Sequence, residues 1–402
     1  MDPVVSPGMS PGQRIKLYRQ RAGLTQEVAA QLKGVTASAW RKWESGERSV
    51  NTLGDWIEIA RILRVRDLYR LTGMPVGQLP DEQAEHESVQ PVRAALHAYA
   101  PTLDGPVDIA ALRRAITWAW NTWTSSRHRY SRTAPLLADL ILTTRATLAA
   151  SSGAVRRDAE RAAADVYLLV RSFGKRVGAA DVAYLAADRA MSAARAADDP
   201  AYRAAAGWNL AQVLSNRGHT EESALMCEDA IRDVEAASGG GPAEMALAGS
   251  LRLLLAVQRA RLRDERRASE AIEDAARLAA ITGETTYHRT FFGPANVGIH
   301  RAAVVLELSR TGEALRLAER VDVGDLPSVE RRYSHYLQLG RAYAIRREDL
   351  AAVHMLGRAD RESPEDSRLN LVMRATVREL LVRETPTTRP DLRGLAERVG
   401  VI

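Results

Sequence analysis

Along most of this chain the apolar positions recur at helical spacing, and β-branched alternation of the kind that marks strands is absent. The densest early pattern runs from Gly23 to Gly46. Thr25 stands where a side-chain oxygen caps a helix whose expected apolar stripe is Val28, Ala29 and Leu32. Gly34 sits where that helix must stop, since glycine takes the left-handed conformation at little cost, and Val35 follows as a buried turn residue. Thr36 caps a second helix with Ala39, Trp40 and Trp43 on its apolar face. Behind them the pattern predicts an apolar helix through Leu53, Trp56, Ile57, Ala60 and Leu63, and a fifth helix over Asp67–Thr72.

Residues 74–91 carry three prolines and little apolar periodicity, so they read as a linker. Leu112, Ala115, Ile116, Ala119, Trp120 and Trp123 then form one face of a helix starting near Asp108, with Trp118 pointing elsewhere as the exposed tryptophan. Leu136, Leu137, Leu140 and Ile141 open the next helix after Pro135. Beyond it the pattern repeats. Small residues that let paired helices approach closely recur at 183, 223, 268, 314 and 352, and the last copy adds Leu339, Gly340, Tyr343, Leu356, Ala359 and Pro364. That spacing is longer than a consensus tetratricopeptide unit. It predicts irregular helix pairs stacked into a right-handed α-solenoid with a concave face. The expected fold class is all-α, divided as an N-terminal tail (1–9), a five-helix domain (10–73), the linker (74–91), a helical segment opening the solenoid (92–150), tetratricopeptide-like repeats (151–385) and a C-terminal helix (386–402).

The early stretch has two short helices, a tight turn, and a second helix with a free N-terminus, which is the helix-turn-helix pattern. Arg19, Gly23-Leu24-Thr25-Gln26-Glu27, Gly34-Val35-Thr36 and Trp43-Glu44-Ser45-Gly46 resemble, in order and spacing, the lambda-repressor-like Xre helix-turn-helix family. Ser49-Val50-Asn51 departs from that family, which usually has a proline there, so a looser or differently angled loop is expected. The resemblance implies double-stranded DNA as a partner, with the second helix in the major groove. Ala37, Ser38, Arg41 and Lys42 then face base edges behind the cap Thr36, while Gln26 and Arg48 take phosphates. Trp40 and Trp43 are expected in the domain core, and Glu44 is expected to bridge to Arg19, because a carboxylate beside DNA would repel phosphates unless neutralised.

Charge follows the same division. Residues 1–79 hold 12 Arg or Lys against 7 Asp or Glu, a net of +5, whereas the other 323 residues hold 44 against 43. The excess therefore sits where phosphate binding needs it. One cysteine, Cys227, excludes an intrachain disulfide and reads as a core residue of a cytoplasmic protein. No apolar run of membrane-spanning length and no secretory leader pattern occurs, so no membrane partner is expected. The eight histidines lack metal spacing, the Ser238–Pro242 glycine run lacks the flanks of a phosphate loop, and no nucleophile or nucleotide fingerprint occurs. An enzyme, a metal site and a cofactor are therefore not expected.

A helix-turn-helix followed by a tetratricopeptide solenoid resembles the RRNPP peptide-sensing regulators and the regulators of this build in actinomycetes. The resemblance implies a signal-responsive transcription regulator, homodimeric on a pseudo-palindromic operator, with a peptide or small molecule in the concave groove. Inner-helix positions Ser172, Lys175, Arg176, Trp208, Asn209, Gln212, Asn216 and Arg341 are the candidate groove lining: asparagine offers donor and acceptor, and Arg or Lys holds a carboxylate. Their alternative is a solvated polar face. A second cluster at 287–300 places Phe291, Asn296 and His300 as pocket walls and polar tips, or else the phenylalanines plug the core. The competing function is an interaction scaffold or antitoxin-like regulator whose solenoid grips a partner protein. A closed, residue-lined cavity favours a small signal, and a wide apolar groove favours a protein. The final stripe of Leu392, Leu395, Ala396 and Val399 is one candidate dimer surface.

Overall fold

The computed structural model describes residues 9–50, 53–63, 65, 69–72, 86–98, 108–216, 218–237, 240–308 and 310–402. Among them regular structure is helical, apart from one isolated antiparallel bridge between Thr285 and Phe292. The chain divides into two units, residues 1–84 and 85–402.

In the first unit α1 (Pro11–Arg21), α2 (Gln26–Lys33), α3 (Ala37–Ser45), α4 (Leu53–Ile62) and α5 (Tyr69–Thr72) enclose a core of Ile15, Tyr18, Ala29, Ala30, Trp40, Trp43, Ile59, Ala60, Leu63 and Leu71. Local chemistry sets the boundaries. Thr25 Oγ1 accepts from the Val28 amide at 3.2 Å and Thr36 Oγ1 from that of Ala39 at 3.1 Å, so both caps form as the sequence predicts. Gly34 ends α2 at φ 74°, in the left-handed region where a Cβ would be strained. The stripe expected on α2 is only partly buried. Val28 is 42 % and Leu32 60 % exposed, because this short helix turns Ala29 and Ala30 into the core instead. α5 is four residues long; the expected start at Asp67, the side chains of Leu53 and Ile57, and Asn51 lie outside the described residues.

The second unit opens with α6 (Val89–His97), α7 (Ile109–Ser125), α8 (Arg129–Thr133) and α9 (Leu137–Ala150). α6 starts inside the stretch expected as a linker and runs through its last residue, Pro91; residues 74–85 of that stretch lie outside the described residues. A proline in the first turn breaks no helical bond, since its amide would be unpaired there anyway. Asp108 caps α7 through the Ala111 amide at 2.8 Å. Its inward face is Leu112, Ile116, Ala119, Trp120 and Trp123, with Trp118 45 % exposed and Ala115 turned to solvent. Leu136 falls in a 3-10 turn and is 40 % exposed, so α9 starts one residue later than its apolar run.

Helical hairpins of the tetratricopeptide type follow: α10 (Gly153–Arg176) with α11 (Ala180–Ala196), α12 (Pro200–Asn216) with α13 (Thr220–Ala237), α14 (Pro242–Arg261) with α15 (Glu265–Thr282), α16 (Pro294–Glu307) with α17 (Thr311–Glu319), and α18 (Val329–Ile345) with α19 (Asp349–Glu362). Each predicted repeat falls on one hairpin. Close approach is built in at Gly340, where a Cβ would stand 2.7 Å from the Leu356 Cδ2. Cys227 is fully buried between hairpins. α20 (Pro364–Leu369), α21 (Leu371–Val382) and α22 (Arg389–Arg398) end the chain. Leu392, Leu395, Ala396 and Val399 are each at most 1 % exposed, packed with Met373, Val377 and Leu380. That stripe closes the last hairpin of this same chain, so it does not supply a dimer surface. Among the described residues no helix is long and apolar enough to cross a membrane, and no cluster of His, Cys, Asp or Glu is placed to hold a metal.

The solenoid also closes on itself. Arg129 of α8 is fully buried and donates from Nη2 to Asp366 Oδ1 at 2.6 Å, across 237 residues of chain. Tyr130 Oη and Ser363 Oγ donate to the same carboxylate at 2.8 and 2.6 Å, and the Tyr130 amide donates to Glu365 at 2.8 Å. Burial alone would raise the Asp366 pKa; the Arg129 and Arg176 guanidiniums outweigh it and hold the carboxylate ionised below its usual range.

Candidate functional sites: a helix-turn-helix surface and a cationic cavity

In the first unit α3 carries the expected surface. Ser38, Arg41 and Lys42 are exposed along it, Ala37 is half-buried at its first turn, and Arg48 is exposed just beyond its end. Thr36 is occupied as the cap. Beneath that surface Glu44 is the hub. It accepts from Arg19 Nε at 2.5 Å and Nη2 at 3.1 Å, from Trp40 Nε1 at 2.7 Å and from Gln26 Nε2 at 2.7 Å. Burial pushes its pKa up, but the bonds from Arg19, Gln26 and Trp40 prevail and keep it low. A fully bonded carboxylate of this kind fixes the angle between α1, α2 and α3 and removes its own charge from the surface. Gln26 is therefore tied at least in part to this hub, in addition to the phosphate role expected of it. Lys33 lies between Asp55 at 2.9 Å and Glu58 at 2.5 Å, and so brings no spare charge.

In the second unit the first helices of the hairpins line a cavity of about 360 Å³. α7 contributes Trp120 and Trp123, α10 Arg171, Ser172, Lys175 and Arg176, α12 Trp208, Asn209, Gln212 and Asn216, and α14 Gln258 and Arg261. The 288–291 loop adds His288, Arg289 and Phe291, α16 adds Ile299 and His300, and α18 adds Glu330, Arg331, Ser334, His335 and Gln338. Lys175, Arg176, Trp208, Asn209, Gln212, Asn216, Phe291 and His300, all predicted from sequence, thus meet in one place.

Two predicted residues do not reach it. Asn296 is 4 % exposed and spends its Nδ2 on the Phe291 carbonyl at 2.6 Å, so it shapes the loop behind the wall. Arg341 lies a turn past Gln338, exposed, in a separate groove with Leu371 and Val372. The α18 contribution comes from 331, 334, 335 and 338 instead, spaced as one helical face. Sequence reasoning missed Arg171 although it lies one turn before Lys175 on the same face, and missed Arg331 because nothing local tells which half of α18 looks inward.

Among the described residues the cavity wall holds seven Arg or Lys side chains, Arg129 of α8 being the seventh, and one carboxylate, Glu330. Glu330 is committed to Arg176 and also lies 3.5 Å from Arg129. Lys175 donates to Gln212 at 3.2 Å, Trp208 Nε1 to the Ser250 carbonyl at 3.2 Å, and Asn209 Nδ2 to the Ala205 carbonyl at 2.9 Å. Burial, reinforced by neighbouring cations, pushes Arg171 down to about 9, Arg331 down to about 10 and Lys175 well below its ordinary value. His300 is pushed down to about 4 by burial and then by Arg331; it is neutral, and its Nδ1–H donates to the Asn296 carbonyl at 2.9 Å.

Against known proteins, residues 12–70 match the family model described as a helix-turn-helix domain, so the chain carries a DNA-binding domain of that kind in its first unit. No curated protein matches the sequence. Among solved structures the chain is similar to Bacillus thuringiensis PlcR in complex with the peptide PapR7 and DNA, at 15 % identity and a TM-score of 0.28, covering 68 % of this chain and 95 % of that one.

Proposed function

We propose that this protein is a signal-responsive transcription regulator. Its helix-turn-helix reads an operator through Ser38, Arg41 and Lys42, with Arg48 on a phosphate, and its solenoid cavity binds the signal. The observation that carries this reading is the convergence of polar and cationic side chains from successive hairpins on one interior cavity, in a chain that also bears a DNA-binding domain. A cavity of this volume lies within the range of small-molecule sites, roughly 300–1,000 Å³, and is too small for a folded partner. A single head of this size contacts too few base pairs for specificity, so the reading includes a homodimer on a two-fold site.

The test is binding of the full chain to its own promoter region over a series of salt concentrations. Arg41→Ala weakens specific binding by about 1–3 kcal/mol if it takes a base edge, and Lys42→Ala or Arg48→Ala lowers the salt slope by about one if it takes a phosphate. Equal affinity for random DNA, unchanged by all three substitutions, rejects the major-groove assignment. A protein-binding scaffold is the second reading, favoured by the apolar groove of Ala111, Leu112, Ala115, Trp118, Leu136 and Leu140 on the outside of α7 and α9. Trp118→Ala impairs that role and leaves operator binding and its response to a signal intact.

A further inference from the structure

Among the described residues Arg171, Lys175 and Arg331 of the cavity wall make no ion pair. Arg171 is 4 % exposed; its Nη2 reaches only the Asn209 carbonyl at 3.3 Å, and its Nε meets no acceptor. Lys175 has only the neutral Gln212 amide. Arg331, facing them from α18, pairs with no carboxylate among the described residues. The one acid on the wall, Glu330, is already taken by Arg176. Withdrawing like charges from water without compensation is costly, and each charge here raises the cost of the others. The downward pKa shifts of Arg171, Lys175 and Arg331 come first from burial and then from neighbouring cations, Arg176 beside all three and Arg171 and Arg331 beside Lys175 as well.

An anion entering the cavity reverses the sign of each of these interactions at once. A cation, or the free ammonium end of a neutral peptide, adds to the repulsion. We propose that the cavity is a site for a small molecule bearing at least two negative charges, carboxylate or phosphate, held between Arg171 and Lys175 on α10 and Arg331 on α18, with Trp208 and Phe291 as its apolar wall. Neutral His300 adds an acceptor at Nε2 for a ligand hydroxyl or protonated oxyacid, since its Nδ1–H is already spent. This assignment rests on the cavity being the signal site and names the chemistry of the signal.

The experiment is calorimetric titration of the full chain, without DNA, with inorganic pyrophosphate and separately with glutarate, at constant ionic strength, with putrescine as a dication of similar size. Saturable binding of at least one dianion is expected, with none of putrescine. Arg331→Gln and Lys175→Gln each weaken it about tenfold or more, a change of roughly 1.4 kcal/mol. Without anion, both variants melt at or above the temperature of the parent, because each removes an uncompensated charge. Binding of pyrophosphate alone assigns a phosphorylated signal, and of glutarate alone a dicarboxylate. No saturable binding of either dianion, binding untouched by both substitutions, or lower melting temperatures in both variants overturns the proposal. Operator binding measured on the same samples separates the two readings. If it stays sequence-specific while the anion site fails, only the ligand assignment falls. If anions bind and no operator preference exists, the regulator falls and the anion site stands.

Discussion

At the scale of single residues, burial decides which polar side chains are structural and which are available. Glu44 and His335 show the two directions. Glu44 has Arg19, Gln26 and Trp40 as partners and stays charged inside the small domain; removing Arg19 would leave a buried, unbalanced carboxylate, at a cost of about 3–5 kcal/mol. His335, 4 % exposed, is pushed down to about 4 by burial and then by Arg358. Its neutral form is the one the fold accepts, so the stability it confers is complete above its unfolded value of about 6.5 and is lost as pH falls towards 4. Urea denaturation at pH 7 and pH 5 is expected to show about 2 kcal/mol of loss from this residue, absent in His335→Gln. An unchanged pH dependence in the variant would place the loss elsewhere.

At the scale of elements, the helices and their ends were legible because their causes lie within a turn or two of chain. Thr25 and Thr36 cap as their positions imply, α7 starts next to Asp108, Gly34 stops α2, and the recurring small residues mark one hairpin each. What the local pattern left open was the direction of a side chain. The 287–300 cluster is the instructive case. Thr285 and Phe292 pair across an antiparallel bridge, the Thr285 amide donating to the Phe292 carbonyl at 2.7 Å. In that extended segment successive side chains point oppositely. Phe292 is therefore fully buried against Gly249 of α14 while Phe291 looks into the cavity, and the core and pocket readings each hold for one residue. A Cβ at Gly249 would stand 2.0 Å from the Phe292 ring. Gly249→Ala is expected to cost about 1–3 kcal/mol by overpacking, read as a lower urea midpoint with an unchanged slope, and the smaller ring space of Phe292→Leu should restore part of it.

At the scale of the whole second unit, closure of the solenoid turns a concave face into a cavity. Arg129 and Asp366 join its opening helices to its last ones, and Glu330 stands between that junction and the cavity cations. Asp366→Asn breaks the buried pair, with an expected loss of about 3–5 kcal/mol and a larger radius of gyration by solution scattering; an unchanged radius would mean that apolar packing alone holds the ring shut. None of this was readable from periodicity, because the partners lie 237 residues apart and their meeting depends on curvature accumulated over every hairpin. The amino-acid sequence by itself made legible the helices, their caps, the hairpin repeat and the helix-turn-helix, since caps and helical faces follow from contacts three or four residues apart and the repeats from the order and spacing of residues along the chain. Only the tertiary structure decided that the α22 stripe is internal, that Asn296 and Arg341 miss the cavity, and that Arg171, Lys175 and Arg331 gather on one cavity wall with no ion-pair partner among the described residues. Those outcomes come from which faces the stacked helices turn inward, and that is set by packing across the molecule rather than along the chain.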